Sequence, residues 1–205
     1  MSGLRERQKA DRDHRILTAA AELFRATGYD GTKIEAIAAH AEVSAGTIYN
    51  YYENKGDLLV AIVSMEVNEV LAGGERLIRK PPRDPVLAVE KLFANYLEHS
   101  LFYLSKEMWR HAMAISTQQP ESRFGRTYKE LDQQLTEQVC GLIERLQVQG
   151  AISKDVDATA AGQMLFNTLN MMFIGFVKNE DMMLSDLKGQ IGRQAKVLLR
   201  AITRN

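Results

Sequence analysis

The stretch Thr32–Lys55, TKIEAIAAHAEVSAGTIYNYYENK, separates into two short helices joined by a three-residue turn. Ile34, Ile37, Ala38 and Ala41 recur at the spacing of one apolar helical face. Thr32 and Glu35 ahead of that face have the make-up of a capping box, in which each side chain satisfies the other's backbone N–H. Glu42, Val43 and Ser44 interrupt the periodicity, and Ser44 is placed to N-cap a second helix. In that helix Ile48 and Tyr52 fall one turn apart and predict an inward face. Gly46, Thr47 and Asn50 are left to project outward, flanked by Tyr49 and Tyr51. A short helix braced by one turn, with small, polar and aromatic tips, is how a helix-turn-helix enters the major groove. The stretch therefore predicts a DNA-binding protein.

Read outward from there, Ile16–Leu59 continues as ILTAAAELFRATGYDGTKIEAIAAHAEVSAGTIYNYYENKGDLL. It has an alanine-rich first helix, a Gly28-Tyr29 turn, a threonine opening the second helix, and a V-S-x-G-T-hydrophobic-Tyr pattern closed by an aromatic and Lys55. In these features the chain resembles the TetR family of one-component transcriptional regulators. Tyr52 stands where that family usually has Phe, which keeps an aromatic plug. Gly56 stands where it often has Glu, which weakens the start of helix four slightly. The match covers about a quarter of the chain; the remainder is similar to the family in length and helical character only.

The resemblance implies an all-α protein of about nine helices. A helix-turn-helix DNA-binding domain would occupy residues 1–55 (motif 33–52), and an effector-binding and dimerisation domain residues 56–205. It also implies contact roles. Thr32 and Lys55 would bind phosphates, Lys55 at a helix N-terminus that already favours anions. Ser44, Ala45, Gly46, Thr47, Tyr49, Asn50 and Tyr51 occupy the family's contact positions. Asn50 has the two-sided amide that reads adenine, and Thr47 a methyl for thymine. Tyr49 and Tyr51 suit sugar-phosphate packing, which positions without specifying. Ala45 offers apolar contact only, and Val43, Ile48 and Tyr52 are structural.

Composition is compatible with this. The chain has 205 residues, 45% hydrophobic, and only 4 prolines, which suits helices around a sizeable core. No uninterrupted apolar run approaches the ~20 residues of a membrane span. The N-terminal MSGLRERQKADRDHR has no apolar h-region. The lone Cys140 forms no intrachain disulfide, and with the missing leader it points to the cytoplasm. On its helical stretch Cys140 reads as a buried structural thiol, with a redox or metal role as the alternative.

Charge runs against the usual footprint of a nucleic-acid binder. Up to Asp57 the bases are Arg5, Arg7, Lys9, Arg12, Arg15, Arg25, Lys33 and Lys55. They are matched by Glu6, Asp11, Asp13, Glu22, Asp30, Glu35, Glu42, Glu53 and Asp57. The recognition helix carries no Lys or Arg, and five of the eight bases lie in the first fifteen residues. The expectation is modest phosphate neutralisation per subunit, with affinity depending on a dimer.

Beyond the head, the spacing predicts helices over 13–27, 55–79 (with Gly73-Gly74 as a kink or early end), 86–104, 106–116, 123–149, 157–179 and 185–203, separated by PPRDP at 81–85 and by Pro120 and Gly150. Asp157 and Ser185 are placed to cap the last two. The eighth helix is apolar nearly all round, through Met164, Leu165, Phe166, Leu169, Met171, Met172, Phe173, Ile174, Phe176 and Val177, which predicts burial on several sides, and the ninth is amphipathic. Two such terminal helices suggest a surface shared with another subunit, and the resemblance implies a homodimer through the last two helices. The alternative is that both complete a monomer core.

Tyr96, His99, Phe102, Tyr103, Trp109, His111 and Met113, with Asn167, Asn170 and Met171 on the eighth helix, have the aromatic, Met-rich and sparsely polar make-up of a small-molecule pocket. Their alternative is a helical core with satisfied polar groups. No phosphate loop, nucleophile elbow or HExxH occurs, and the four histidines have no metal-ligand spacing. The expectation is thus no enzyme, no catalytic residue, no metal and no cofactor. The chain reads as a regulator released from a palindromic double-stranded DNA operator by a small-molecule effector. The alternatives are a helical interaction module without operator binding and a ligand-responsive activator.

Overall fold

The computed structural model describes residues 2–203. Among them are nine helices: α1 Ser2–Thr27, α2 Ile34–His40, α3 Ala45–Tyr49, α4 Lys55–Arg79, α5 Pro85–His99, α6 Lys106–Gln118, α7 Arg123–Val148, α8 Ala158–Lys178 and α9 Leu184–Ile202. The only extended pairing among these residues is an isolated bridge between Ile152 and Thr203. The all-helical fold is as the sequence predicts.

The chain divides into two compact units at places other than the expected boundary after residue 55. The first takes residues up to Met65 together with Phe102–Tyr128; the second takes Glu66–Leu101 and Lys129 onward. Leu58, Leu59 and Ile62, at the start of α4, are fully buried, as are Met108 and Ala112 of α6. Burying such a side chain is worth ~1.5–3 kcal/mol. Both segments thus belong energetically to the head's unit.

Most helix starts carry their own cap. Asp84 accepts from Val86 N–H at 2.8 Å with Pro85 in the first turn of α5, Ser105 accepts from Met108 N–H, and Asp157 accepts from Ala160 N–H at 3.0 Å. At α4 the Asn54 side chain accepts from Asp57 N–H at 3.1 Å, and Asp57 returns a bond to Glu53 N–H at 2.9 Å, which offsets the absence of Glu at position 56.

Several expected ends move. Helix α1 begins at Ser2 rather than Asp13, and α5 stops at His99 instead of Leu104. Ser185 does not cap α9. That helix opens at Leu184, and its entry is held by Asp186 accepting from Met183 N–H at 3.2 Å. Gly73-Gly74 does not end α4. An added Cβ at Gly73 would fall on the Asn95 amide, and one at Gly74 on the Gln138 amide and Leu92. Asn95 donates to Val70 O at 2.8 Å and Gln138 to Leu71 O at 2.9 Å, so two amides from α5 and α7 dock on the bare helix backbone.

In the second unit, Leu92, Val139, Leu142, Ile143, Leu146, Phe176 and Leu199 form the centre of the core. Helix α8 is long and apolar enough to cross a membrane by length and composition. Its Leu165, Phe166, Leu169, Phe176 and Val177 are nevertheless buried within the fold, as in a core helix. It is not buried on several sides, as its sequence suggests: Met164 is 55% and Met171 68% exposed. Cys140 is half-buried with its thiol toward Thr159 O, against Gly162. The expected burial is thus only partial; what there is, with Glu144 nearby, pushes the thiol's pKa up.

Candidate nucleic-acid interface

Helix α3 is only five residues long and is held at three points. At its start Ser44 accepts from Thr47 N–H at 3.1 Å, as its position predicts. At its middle Ile48 is fully buried with Ile37 of α2 and Phe24 of α1 in the same core. Past its end Tyr52 is buried, and its hydroxyl donates to Asp13 at 2.5 Å. Desolvation, then this bond to a carboxylate, pushes the Tyr52 phenol well above its ordinary range. The turn between α2 and α3 places Glu42 at φ 53, in the left-handed region.

With its inner side locked, the helix presents Ser44, Gly46, Tyr49 and Asn50 to solvent, while Ala45, Thr47 and Tyr51 are half-buried. A side chain at Gly46 would meet only Ser44 Oγ at 3.8 Å, so the space above it is open to a closely approaching partner. Thr47 Oγ1 lies 2.8 Å from Ser44 Oγ. Tyr51 packs near Tyr52, and the Lys9 ammonium sits 5.6 Å from its ring centroid.

Two expected phosphate ligands are placed differently. Thr32 does not cap α2, whose N-cap is Lys33 without a side-chain bond. Thr32 is 4% exposed, its hydroxyl donating to Gly28 O at 2.7 Å and lying 2.8 Å from the Thr27 hydroxyl. Those groups are the unsatisfied end of α1, which outcompetes the capping box. Lys55 is also engaged: its Nζ donates to Tyr29 O at 2.8 Å and Asp30 O at 3.0 Å and lies 4.9 Å from the Tyr29 ring centroid. Gly28, at φ 77, and Tyr29 form the turn that Lys55 ties to α4.

A brace from α6, invisible in the sequence, holds the same turn. Glu107 accepts from Tyr29 N–H at 3.3 Å, His111 lies 3.7 Å from Glu107, and the His111 ring centroid is 4.7 Å from that of Tyr29. Seventy-eight residues separate Tyr29 from Glu107, so no local pattern announces the contact.

The ten expected pocket residues fall in both units. Phe102, Tyr103, Trp109, His111 and Met113 belong to the first unit, and Tyr96, His99, Asn167, Asn170 and Met171 to the second. His111 is taken up by the brace and Trp109 is buried. Phe102 is 61% exposed. Tyr96 is buried and donates to Gln138 at 2.8 Å, and His99 is held by Glu66 at 2.7 Å and Glu69 at 3.1 Å. Asn167 and Met171 face outward on α8, and Asn170 is half-buried. Phe102, Asn167 and Met171 are thus exposed in the single protomer.

A capped, core-anchored short helix with an exposed polar tip, behind a tight turn, defines a helix-turn-helix DNA-binding protein. Comparison with known proteins carries this further. Residues 16–62 match the model of bacterial regulatory proteins, tetR family. The chain is similar to the fatty acid metabolism regulator protein of Bacillus subtilis (strain 168), with 29% identity over 182 residues, 85% of this chain and 88% of that one. Its fold is similar to a TetR-family transcriptional regulator from Mesorhizobium loti, with a TM-score of 0.74 at 22% identity over 95% of this chain and 98% of that one. It is likewise similar to the transcriptional regulator FadR from Bacillus subtilis in complex with stearoyl-CoA, with a TM-score of 0.68 at 23% identity over 92% of this chain and 98% of that one. These likenesses support a TetR-family regulator, and the chain is a DNA-binding transcriptional regulator.

Proposed function

We propose that the protein is a repressor that binds a palindromic operator as a two-fold dimer and is released by a long-chain acyl thioester. The observation that carries the DNA half is the locked α3 with Ser44, Gly46, Tyr49 and Asn50 exposed. Asn50 reads a base, while Tyr49 and Tyr51 pack on the backbone. For the dimer, the support is the outer face of α8 and α9, where Met164, Met171 and Val197 are more than half exposed. Apolar side chains in such a row favour closed two-fold pairing. For the effector, the support is similarity along most of the chain to a fatty acid metabolism regulator, and in fold to a regulator holding stearoyl-CoA. The protein would work in the cytoplasm, beside its operator.

The test begins by selecting a duplex from randomised DNA with the wild-type protein. An inverted repeat with half-sites about one helical turn apart is expected. Stearoyl-CoA should then lower affinity for that duplex, and by linkage the operator-bound dimer should bind stearoyl-CoA more weakly by the same factor. Equal affinity in the two states refutes release by acyl thioesters. Failure to select any sequence refutes the operator.

A further inference from the structure

We infer that the N-terminal turns of α1 are a second DNA-binding element, in which Lys9 and Arg12 hold phosphates flanking each half-site. The inference rests on the operator reading above. Ile16 is the first buried residue of α1, yet the helix begins at Ser2. At 1.5 Å per residue the turns before Lys9, the last residue seen against the head, extend about 10 Å further. The described side chains before Asp13 are all exposed. A helical segment exposed on every side is not held by its own packing, and a partner along its length would stabilise it.

The register says which side that partner takes. Lys9 and Arg12 precede Ile16 by seven and four residues and continue the stripe of Ile16, Ala19 and Ala20 that is buried against the head. The overhang therefore turns this basic stripe toward the side on which the helix-turn-helix packs. Two contacts fix the alignment: the Lys9 ammonium is 5.6 Å from the Tyr51 ring centroid, and Asp13 accepts the Tyr52 hydroxyl bond at 2.5 Å. Tyr51 is itself at the end of the recognition element, so the stripe is continuous with the face presented to DNA. Asp11 lies off the stripe, while Asp13, one turn from Lys9, lies beside it with its carboxylate engaged by the Tyr52 hydroxyl. The charge is complementary to a phosphate backbone and supplies what the recognition helix, without Lys or Arg, does not.

The test compares full-length wild type with Lys9→Gln/Arg12→Gln on the selected operator duplex between 50 and 200 mM salt. Each lost phosphate contact removes about 0.9 from the slope of log affinity against log salt, so a dimer with two such contacts per arm should lose about 3–4. Base preference should be unchanged. Trimming the duplex at the outer edges of the half-sites should weaken the wild type and leave the variant unaffected. An unchanged salt slope overturns the inference. So does an altered base preference at constant slope, which would mean that Lys9 only steadies Tyr51. If the wild type selects no sequence, the operator reading falls by itself, and the slope comparison on a random duplex still decides the stripe.

Discussion

Lys55→Met separates two jobs that one side chain could do. The ammonium donates to the carbonyls of Tyr29 and Asp30 at 2.8 and 3.0 Å and lies 4.9 Å from the Tyr29 ring centroid. Hydrogen bonds from a charged donor are worth ~1.5–3 kcal/mol when buried. This site is half-buried, and water can reach the vacated carbonyls, so ~0.5–1 kcal/mol per bond is the appropriate share. The cation over the ring adds ~0.5–1 kcal/mol. The sum, about 1.5–3 kcal/mol, should lower Tm by roughly 3–12 °C at ~2–4 °C per kcal/mol for a chain of this size. Met keeps the aliphatic stem's packing and removes only the charge. The assay is a thermal melt beside DNA binding across a salt series. If Lys55→Met melts within about a degree of wild type, the ties to the Tyr29 turn are absent in solution. Lys55 would then be available for phosphates, and a fall of the salt slope by about one unit per subunit would show it bound there.

Ser44→Ala removes the cap of the five-residue α3 and should cost ~0.5–2 kcal/mol of head stability, with weaker operator binding and unchanged base preference by fluorescence anisotropy. Gly74→Ala should destabilise by about 1–3 kcal/mol in a denaturant titration, because the displaced Gln138 and Leu92 outweigh the ~1 kcal/mol helix-propensity gain; a stabilised variant would refute the docked-amide account. Desolvation raises the Asp132 carboxyl pKa above its ordinary value. The folded state thus holds that proton more tightly, and stability falls as pH rises from the unfolded pKa through the folded one. Asp132→Asn should therefore melt higher than wild type at neutral pH and lose that advantage in acid, and an equal shift at both pH values would exclude this cause.

What the sequence made legible is what is set within one or two helical turns. Ser44, Ile48 and Tyr52 play their expected parts because capping and apolar spacing are decided by neighbours a few residues away. Thr32 leaves its expected capping box since that box competes with any other unsatisfied carbonyls nearby, and the end of α1 lies against it. Gly73-Gly74 looks like a weak point in isolation. Asn95 and Gln138, far along the chain, turn it into a packing surface. The Glu107 brace on Tyr29 and the split of the pocket residues between units follow from tertiary packing with no local signature. On α8, Met164 and Met171 have the same chemistry as the buried Leu165 and Leu169, so composition could not separate the inner face from the outer.

The near-neutral head bears on how release works. With nine acids against eight bases up to Asp57, and none of those bases on α3, one head makes few phosphate contacts, those of the α1 stripe foremost. In the proposed dimer, operator affinity then comes mainly from joining two weak contacts, the second being intramolecular once the first has formed. Such a system has no need of an effector that damages either recognition helix. A ligand that holds the two heads at a spacing foreign to the operator forfeits the second contact and leaves the first intact. A ~100-fold release corresponds to about 2.7 kcal/mol of differential ligand affinity, well within the reach of a long apolar chain that fits one state better than the other. A strongly basic head would resist this, since each head alone would stay bound at physiological salt. Weak charge on the head is thus what allows a change of spacing to act as the switch.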